Sequence, residues 1–264
     1  GSVKTGSDNY YRVFTPFSKA CREKLRTASY QPLPIPNAQT KKPRVQADAI
    51  PDRLPGWTPS TQTIVCGWPA TEQTALDRLA LFADARMEHY KRDRDYPAIA
   101  GTSTLSPYLA AGLISAAQCW QQALRLNHGE LGTGQEGITT WMNELLWREF
   151  YQHLLHSYPT LSMHQPMRVE TNAVQWREAP TDFEAWCQAK TGVPIVDAAM
   201  RQLVQTGWMH NRLRMVVAMY LTKNLLIDWR LGERFFMQHL IDGELAANNG
   251  GWQWSASTGA DSAP

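Results

Sequence analysis

From Ala70 onward, apolar residues return every three or four positions. Leu76, Leu79, Ala80, Ala83 and Met87 fall on one side of a helical projection, which is the spacing of an amphipathic helix. The same period predicts helices near 106–126, 136–157, 181–190, 195–206, 210–228 and 231–241, divided by glycine, proline and asparagine as in KTGVP and LGTGQEG. No segment alternates apolar and polar positions as a half-buried strand does, so the predicted fold class is all-α. No repeat of fixed period points to a solenoid. The chain before Ala70 reads differently: half of its sixteen prolines lie between Pro32 and Pro69, beside KKPR, as in an extended linker. Residues 1–73 are therefore predicted to be linker with one short helix, ahead of a helical domain over 74–264.

Composition narrows the class. A chain of 264 residues can bury the core of one large domain or two small ones, and 43% hydrophobic with 19% charged residues is ordinary for a soluble globular protein. A net charge of +2 means that any nucleic-acid surface must be a local basic patch. Cys21, Cys66, Cys119 and Cys187 are far apart, so neither a zinc site nor a disulfide framework is suggested, and a cytoplasmic setting is expected. No apolar run reaches the ~20 residues that span a bilayer, and no membrane partner is expected. Neither G-x-G-x-x-G nor a Walker loop is present. Eleven tryptophans are an excess that needs a use.

Four stretches carry candidate chemistry. WMNELLWREFYQHLL, 141–155, puts Glu144, Trp147, Arg148 and Tyr151 on one broad helix face, with Leu145, Leu146, Phe150 and Leu154 around the rest. Charges in so apolar a helix need partners, either as an internal ion pair or as a pocket wall. GWMHNRLRMVVAMYL, 207–221, aligns Asn211, Arg214, Met215 and Ala218, with Arg212 one step round, and Gly207 ends the helix before it. In RDYPAIAGTSTLSPYLAAG, Gly101-Thr102-Ser103 precedes a helix with Ser106 as N-cap and Pro107 at its first helical position, which suits a plain cap or a phosphate cradle. Glu149, His153 and His156 are spaced as a metal site could be, but no metal is expected on what reads as a partly solvated face. Last, LIDGELAANNGGWQWSASTG, 240–259, sets Asn-Asn-Gly-Gly, which weakens a helix, beside Trp252 and Trp254. Either a helix stops there with core aromatics behind it, or something flat approaches the backbone.

Taken in order, VFTPF, RDYPAIAGTSTLSPYLAAG, WMNELLWREFY, TGVPIVDAAMRQL, TGWMHNRLRM and LIDGELAANNGGWQWSASTG resemble class I cyclobutane pyrimidine dimer photolyases of the photolyase/cryptochrome flavoprotein family, from Val13 to Pro264. The resemblance implies a helical domain that holds FAD folded in a U, with FADH⁻ as the active form. It implies a carbon–carbon lyase that repairs UV-damaged DNA, working as a monomer on a flipped-out pyrimidine dimer. Light-driven electron donation from the cofactor would split the cyclobutane ring. Relatives also carry an N-terminal antenna domain with a second chromophore of folate or deazaflavin type, and a further C-terminal stretch, so the chain reads as a truncated piece.

Motif by motif, the resemblance sets Tyr90 and Thr102, Ser103, Thr104, Leu105 and Ser106 around the flavin phosphates. Trp141, Arg148, Trp208, Asn211, Arg214, Asp242, Gly243, Glu244 and Asn248 would line the cofactor, with Asn248 near N5 in an Asn-Asn-Gly-Gly turn. Glu144, Trp147, Asn211, Met215 and Trp254 would face the dimer, with a protonated Glu144 bonded to its carbonyls. Arg94 and Arg212 would meet DNA phosphates. Trp252, Trp229 and Trp176 together match the family's electron-hopping triad, although each alone reads first as core packing. Three positions depart from the family pattern: Thr104 where many relatives have Arg or Lys, Glu244 where Asp is usual, and TGADSAP for TGTDAAP. A cryptochrome-like photoreceptor without repair is the alternative function, and Asn248 favours repair over it. The missing His-His arrangement in WMHNRLRM argues against a (6-4) enzyme, and a plain helical nucleic-acid-binding module would carry no flavin.

Overall fold

The computed structural model describes residues 3–27 and 67–261, with residues 34, 36, 37, 48, 49, 51, 55 and 56 between them. The linker reading of Pro32–Pro69 lies mostly outside the described residues. All regular structure among the described residues is helical, as the 3.6-residue period requires. Helix α1 (Phe14–Thr27) falls in the region read as linker, yet it buries Phe17 and Cys21 in the core. There follow α2 (Glu72–Ala85), α3 (Tyr90–Asp93), α4 (Ser106–Ala110), α5 (Ala116–Leu126) and α6 (Glu136–Ser157). After two 3₁₀ turns come α7 (Pro180–Cys187), α8 (Pro194–Thr206), α9 (Asn211–Met219), α10 (Trp229–His239) and α11 (Leu245–Ser255).

Two predicted helices are shorter or divided. The 106–126 stretch is two helices, because Gly112 takes φ +73° and turns the chain between α4 and α5. The 210–228 stretch is α-helical only to Met219 and continues as a π turn over Tyr220–Asn224.

Helix α6 is the axis of the fold. Its 22 residues span about 33 Å at 1.5 Å per residue. It buries Ile138, Trp141, Met142, Leu145, Leu146, Phe150 and Leu154 in one apolar cluster, and α11 crosses its other side. Gly137 permits the crossing with the 87–89 turn: a Cβ there would lie 2.0 Å from the Glu88 carbonyl oxygen. A second cluster gathers Trp186, Met200, Leu203, Met209, Val217, Leu221, Trp229, Phe236 and Trp252 from α7 to α11.

The Asn-Asn-Gly-Gly stretch is not a turn. It forms the middle of α11, which corrects the sequence expectation. Two glycines disfavour that helix by about 2 kcal/mol against alanines, and tertiary contacts offset this. Glu244 caps the helix through Oε2, which accepts from the Ala247 amide at 3.2 Å. Asn249 donates to the buried Glu233 carboxylate at 2.8 Å and accepts from Gln253 at 2.9 Å, while Gln253 Oε1 takes the Met167 amide at 2.9 Å. Gly250 lies so close to Tyr151 that a Cβ would meet the ring at 2.1 Å. Close approach is the role of this glycine, but the group that approaches it is a neighbouring side chain.

Candidate functional site

Residues from both clusters line one cavity of about 530 Å³, within the usual ~300–1,000 Å³ of small-molecule sites. Helix α6 supplies Trp141, Glu144, Trp147, Arg148 and Tyr151, and α9 supplies Asn211, Arg212, Arg214, Met215 and Ala218. The sequence placed Glu144, Trp147, Arg148 and Tyr151 on one helix face and Asn211, Arg214, Met215 and Ala218 on another, and the fold turns the two faces toward one space. The rest of the wall includes Tyr90, Arg94, Thr102–Ser106, Trp208, Asp242–Glu244, Asn248, Gly251, Trp252 and Trp254. Phe14 of α1 stacks on Trp147 with centroids 3.8 Å apart, so the N-terminal helix backs this wall.

The 102–106 loop is shaped by close packing and positive φ. A Cβ on Gly101 would come within 2.5 Å of Asp93 Cβ, so only glycine lets the loop fold back on α3. Thr104 stands at φ +52°, rare for a β-branched residue. The backbone N–H groups of Thr102, Ser103, Thr104 and Leu105 have no partner among the described residues. Ser106 is not the N-cap; Leu105 is, so Pro107 stands second in the helix rather than first, and Ser106 Oγ accepts from Trp208 Nε1 at 3.3 Å.

Charges around the cavity are paired across elements. Arg214 Nη2 meets Asp242 Oδ2 at 2.7 Å, and Arg214 Nε is fixed on the Met209 carbonyl at 2.8 Å. Asp242 Oδ1 is buried with no partner among the described residues. Glu144 pairs with Arg94 at 2.5 Å and not with Arg148, whose carboxylate neighbour is Glu149 at 3.6 Å. The sequence separation of 50 hid this pair. Arg212 pairs with Asp95, and that bond holds the Asp95 carboxyl below its ordinary range.

Burial pushes the Glu144 carboxyl above the ordinary glutamate range, outweighing the attraction of Arg94. Its contribution to stability is therefore fully present at low pH and lost as pH rises through the raised value. Glu144→Gln is expected to remove that slope, so the stability difference between parent and variant should change with pH in thermal unfolding. His153 and His210 are both held below the ordinary histidine range by burial and give the opposite slope. Their slopes are common to both proteins and cancel. A difference that stays constant with pH would place Glu144 among ordinary carboxylates.

Asn248 Nδ2 donates to the Glu233 carbonyl at 3.0 Å, which leaves its Oδ1 as an acceptor. Trp252 lines the cavity, but Trp229 and Trp176 do not. Trp229 is buried beside the Arg230 guanidinium, 4.8 Å from its ring, and Trp176 packs half-buried on the second cluster. The ring neighbours of Trp252 are Phe236 at 5.0 Å and Trp186 at 6.1 Å.

Residues 141–264 match the family model described as the FAD binding domain of DNA photolyase. Over its full length the chain is 46% identical to a deoxyribodipyrimidine photo-lyase of Escherichia coli (strain K12), of which it covers 55%. The chain belongs to the photolyase/cryptochrome family. Among solved members of this family, a bacterial class III photolyase from Agrobacterium tumefaciens is 39% identical with a TM-score of 0.87, covering all of this chain and 54% of that one. A Synechocystis cryptochrome is 30% identical with a TM-score of 0.78, over 97% of this chain and 53% of its own. The chain spans about half the length of the curated photolyases it matches.

The cavity fits the family's FAD. Unpaired amides at 102–105 suit an anion, and the orphaned Asp242 oxygen suits a ring or ribose donor. Gly251 has nothing within 4 Å of its Cβ direction, so the α11 backbone is open to a flat group on that side. Of the departures from the photolyase pattern, Glu244 is spent on capping α11 and Thr104 is held by Arg78, whose Nη1 lies 3.1 Å from Thr104 Oγ1. Sequence reasoning missed Arg78, Asp95 and Glu233, whose partners are distant in the chain, and by reading Asn249 into a turn it missed the four-residue bond from Gln253 as well.

Proposed function

We propose that the whole protein carrying this chain repairs cyclobutane pyrimidine dimers in DNA by light-driven electron transfer from reduced FAD. The observation that carries the reading is one cavity with unpaired amides at 102–105, a buried unpartnered Asp242 oxygen, and a further wall of Glu144, Trp147, Asn211, Met215 and Trp254. When bound, FAD would supply the excited electron donor. The chain's own residues would do the rest. The 102–105 amides hold the diphosphate, Asp242 and Arg214 hold polar groups of the cofactor, and Asn248 Oδ1 accepts from a ring N–H. Trp147 and Trp254 offer aromatic surfaces to a flipped dimer, Met215 packs on it, and Asn211 bonds its edge. Glu144, whose carboxyl burial pushes above its ordinary range, would in its protonated form donate to a base carbonyl that gains negative charge. Arg94 and Arg212 lie at the same wall, where DNA phosphates would compete with Glu144 and Asp95 for them. Trp252 at the cavity, with Trp229 and Trp176 beyond it, would relay electrons from a reductant in solution to the cofactor. A second chromophore would sit in a separate antenna domain.

The test is light-dependent repair by the full-length protein. Purified protein should release one FAD on denaturation and remove dimers from a single-stranded oligonucleotide under blue light but not in the dark. Flavin with no repair would favour a photoreceptor of the cryptochrome kind, and no flavin would remove both readings.

A further inference from the structure

Helix α2 contributes no residue to the cavity wall, yet its Arg78 reaches the back of that wall. The guanidinium carbon lies 5.1 Å from the Trp68 ring centroid and 5.4 Å from that of Tyr108. Nη1 donates to Thr104 Oγ1 at 3.1 Å, and Nη2 donates to the Gly67 carbonyl at 3.3 Å. Trp68 is itself pinned by its Nε1 donating to the Thr206 carbonyl at 3.0 Å. The aromatic faces thus fix the guanidinium in place and exclude part of its water.

Its charge has no carboxylate partner among the described residues. Arg94, Arg148, Arg212 and Arg214 at the cavity each face a carboxylate, whereas Arg78 makes no ion pair among the described residues. What it does contact is Thr104, the residue held at positive φ in the middle of the unpaired amides. Thr104 Oγ1 donates to the Ser103 carbonyl at 2.7 Å while it accepts from Arg78, so one hydroxyl joins the strained turn to the cation. An anion on these amides would have a single positive charge directly behind it, with one threonine side chain between.

We propose that Arg78 is the cation of the diphosphate end of the cavity, acting as a positioning residue through Thr104 and by its charge. This rests on the reading of the cavity as an FAD site. The role needs both the donor and the charge, which two substitutions separate: Arg78→Gln keeps a donor and loses the charge, and Arg78→Lys keeps the charge and loses the fork.

The experiment strips the full-length protein of flavin and titrates FAD at several salt concentrations into the parent, Arg78→Lys and Arg78→Gln. At low salt Arg78→Gln should bind FAD roughly tenfold more weakly, the scale of one charge near a protein surface. The gap should close as salt rises. Arg78→Lys should keep most of the affinity and the parent's salt dependence. A salt-independent loss shared by both variants would reduce Arg78 to a packing residue, and unchanged affinity in Arg78→Gln would overturn the proposal outright. Should Arg78→Gln fail to fold, Arg78→Lys decides: retained salt-dependent affinity supports the charge, and loss of it overturns the charge. Failure of the parent to take up FAD would instead refute the cavity assignment itself.

Discussion

Replacing Asp242 with alanine is expected to abolish FAD retention and to lower stability by about 3 kcal/mol. The Asp242 side chain is 2% exposed and holds Arg214, which is 23% exposed. Removing one member of a buried pair costs roughly 3–5 kcal/mol because the other charge is left without a partner. Arg214 keeps some contact with water and its bond to the Met209 carbonyl, which puts the loss at the low end. Flavin retention should fall further than stability alone requires, since the second oxygen, Oδ1, is buried with no partner among the described residues. Asp242→Asn keeps the shape and an acceptor toward Arg214, so it should unfold closer to the parent while still losing FAD affinity. Urea unfolding, together with the ratio of flavin to protein absorbance after gel filtration, separates the two effects. An alanine variant that keeps its flavin would move Asp242 from the cofactor site to the core.

The adjacent glycines of α11 are expected to respond with opposite signs. A Cβ at position 250 would stand 2.1 Å from the Tyr151 ring, and that ring lines the cavity. Overpacking of this kind costs about 1–3 kcal/mol, against a gain of about 1 kcal/mol in helix propensity, so Gly250→Ala should be less stable than the parent. A Cβ at position 251 meets nothing within 4 Å. Gly251→Ala should therefore stabilise the flavin-free protein by about 0.5–1 kcal/mol. Its methyl group enters the cavity, so FAD affinity should fall as stability rises. Thermal unfolding of both variants with and without FAD reads all four numbers. A destabilised Gly251→Ala would mean that the helix backbone is not open on that side.

These glycines also show where sequence reading and structure part. Local composition argued for a break at Asn-Asn-Gly-Gly, and tertiary contacts overrode it. Tyr151 fills the space beside Gly250, Glu233 and Gln253 bind Asn249, and Glu244 caps the first turn. Helix propensity is a weak term of about 1 kcal/mol per glycine. The Tyr151 and Glu233 contacts from other helices, added to the local Gln253 bond and Glu244 cap, outweigh it, and the contacts from other helices cannot be read from neighbours in the chain.

The sequence by itself determined the helical class, the face of α6 that carries Glu144, Trp147, Arg148 and Tyr151, the matching face of α9, and the family. Side chains three and four residues apart must share a face whatever packs on them, so those faces were legible in advance. Only the tertiary structure decided which charges meet. Glu144 takes Arg94 from 50 residues away, Arg214 takes Asp242, and Arg78 stands behind Thr104 from a helix outside the cavity. The reason is range: helix periodicity is set by bonds four residues long, whereas the partner of a buried charge is chosen by whichever element the fold brings within about 4 Å.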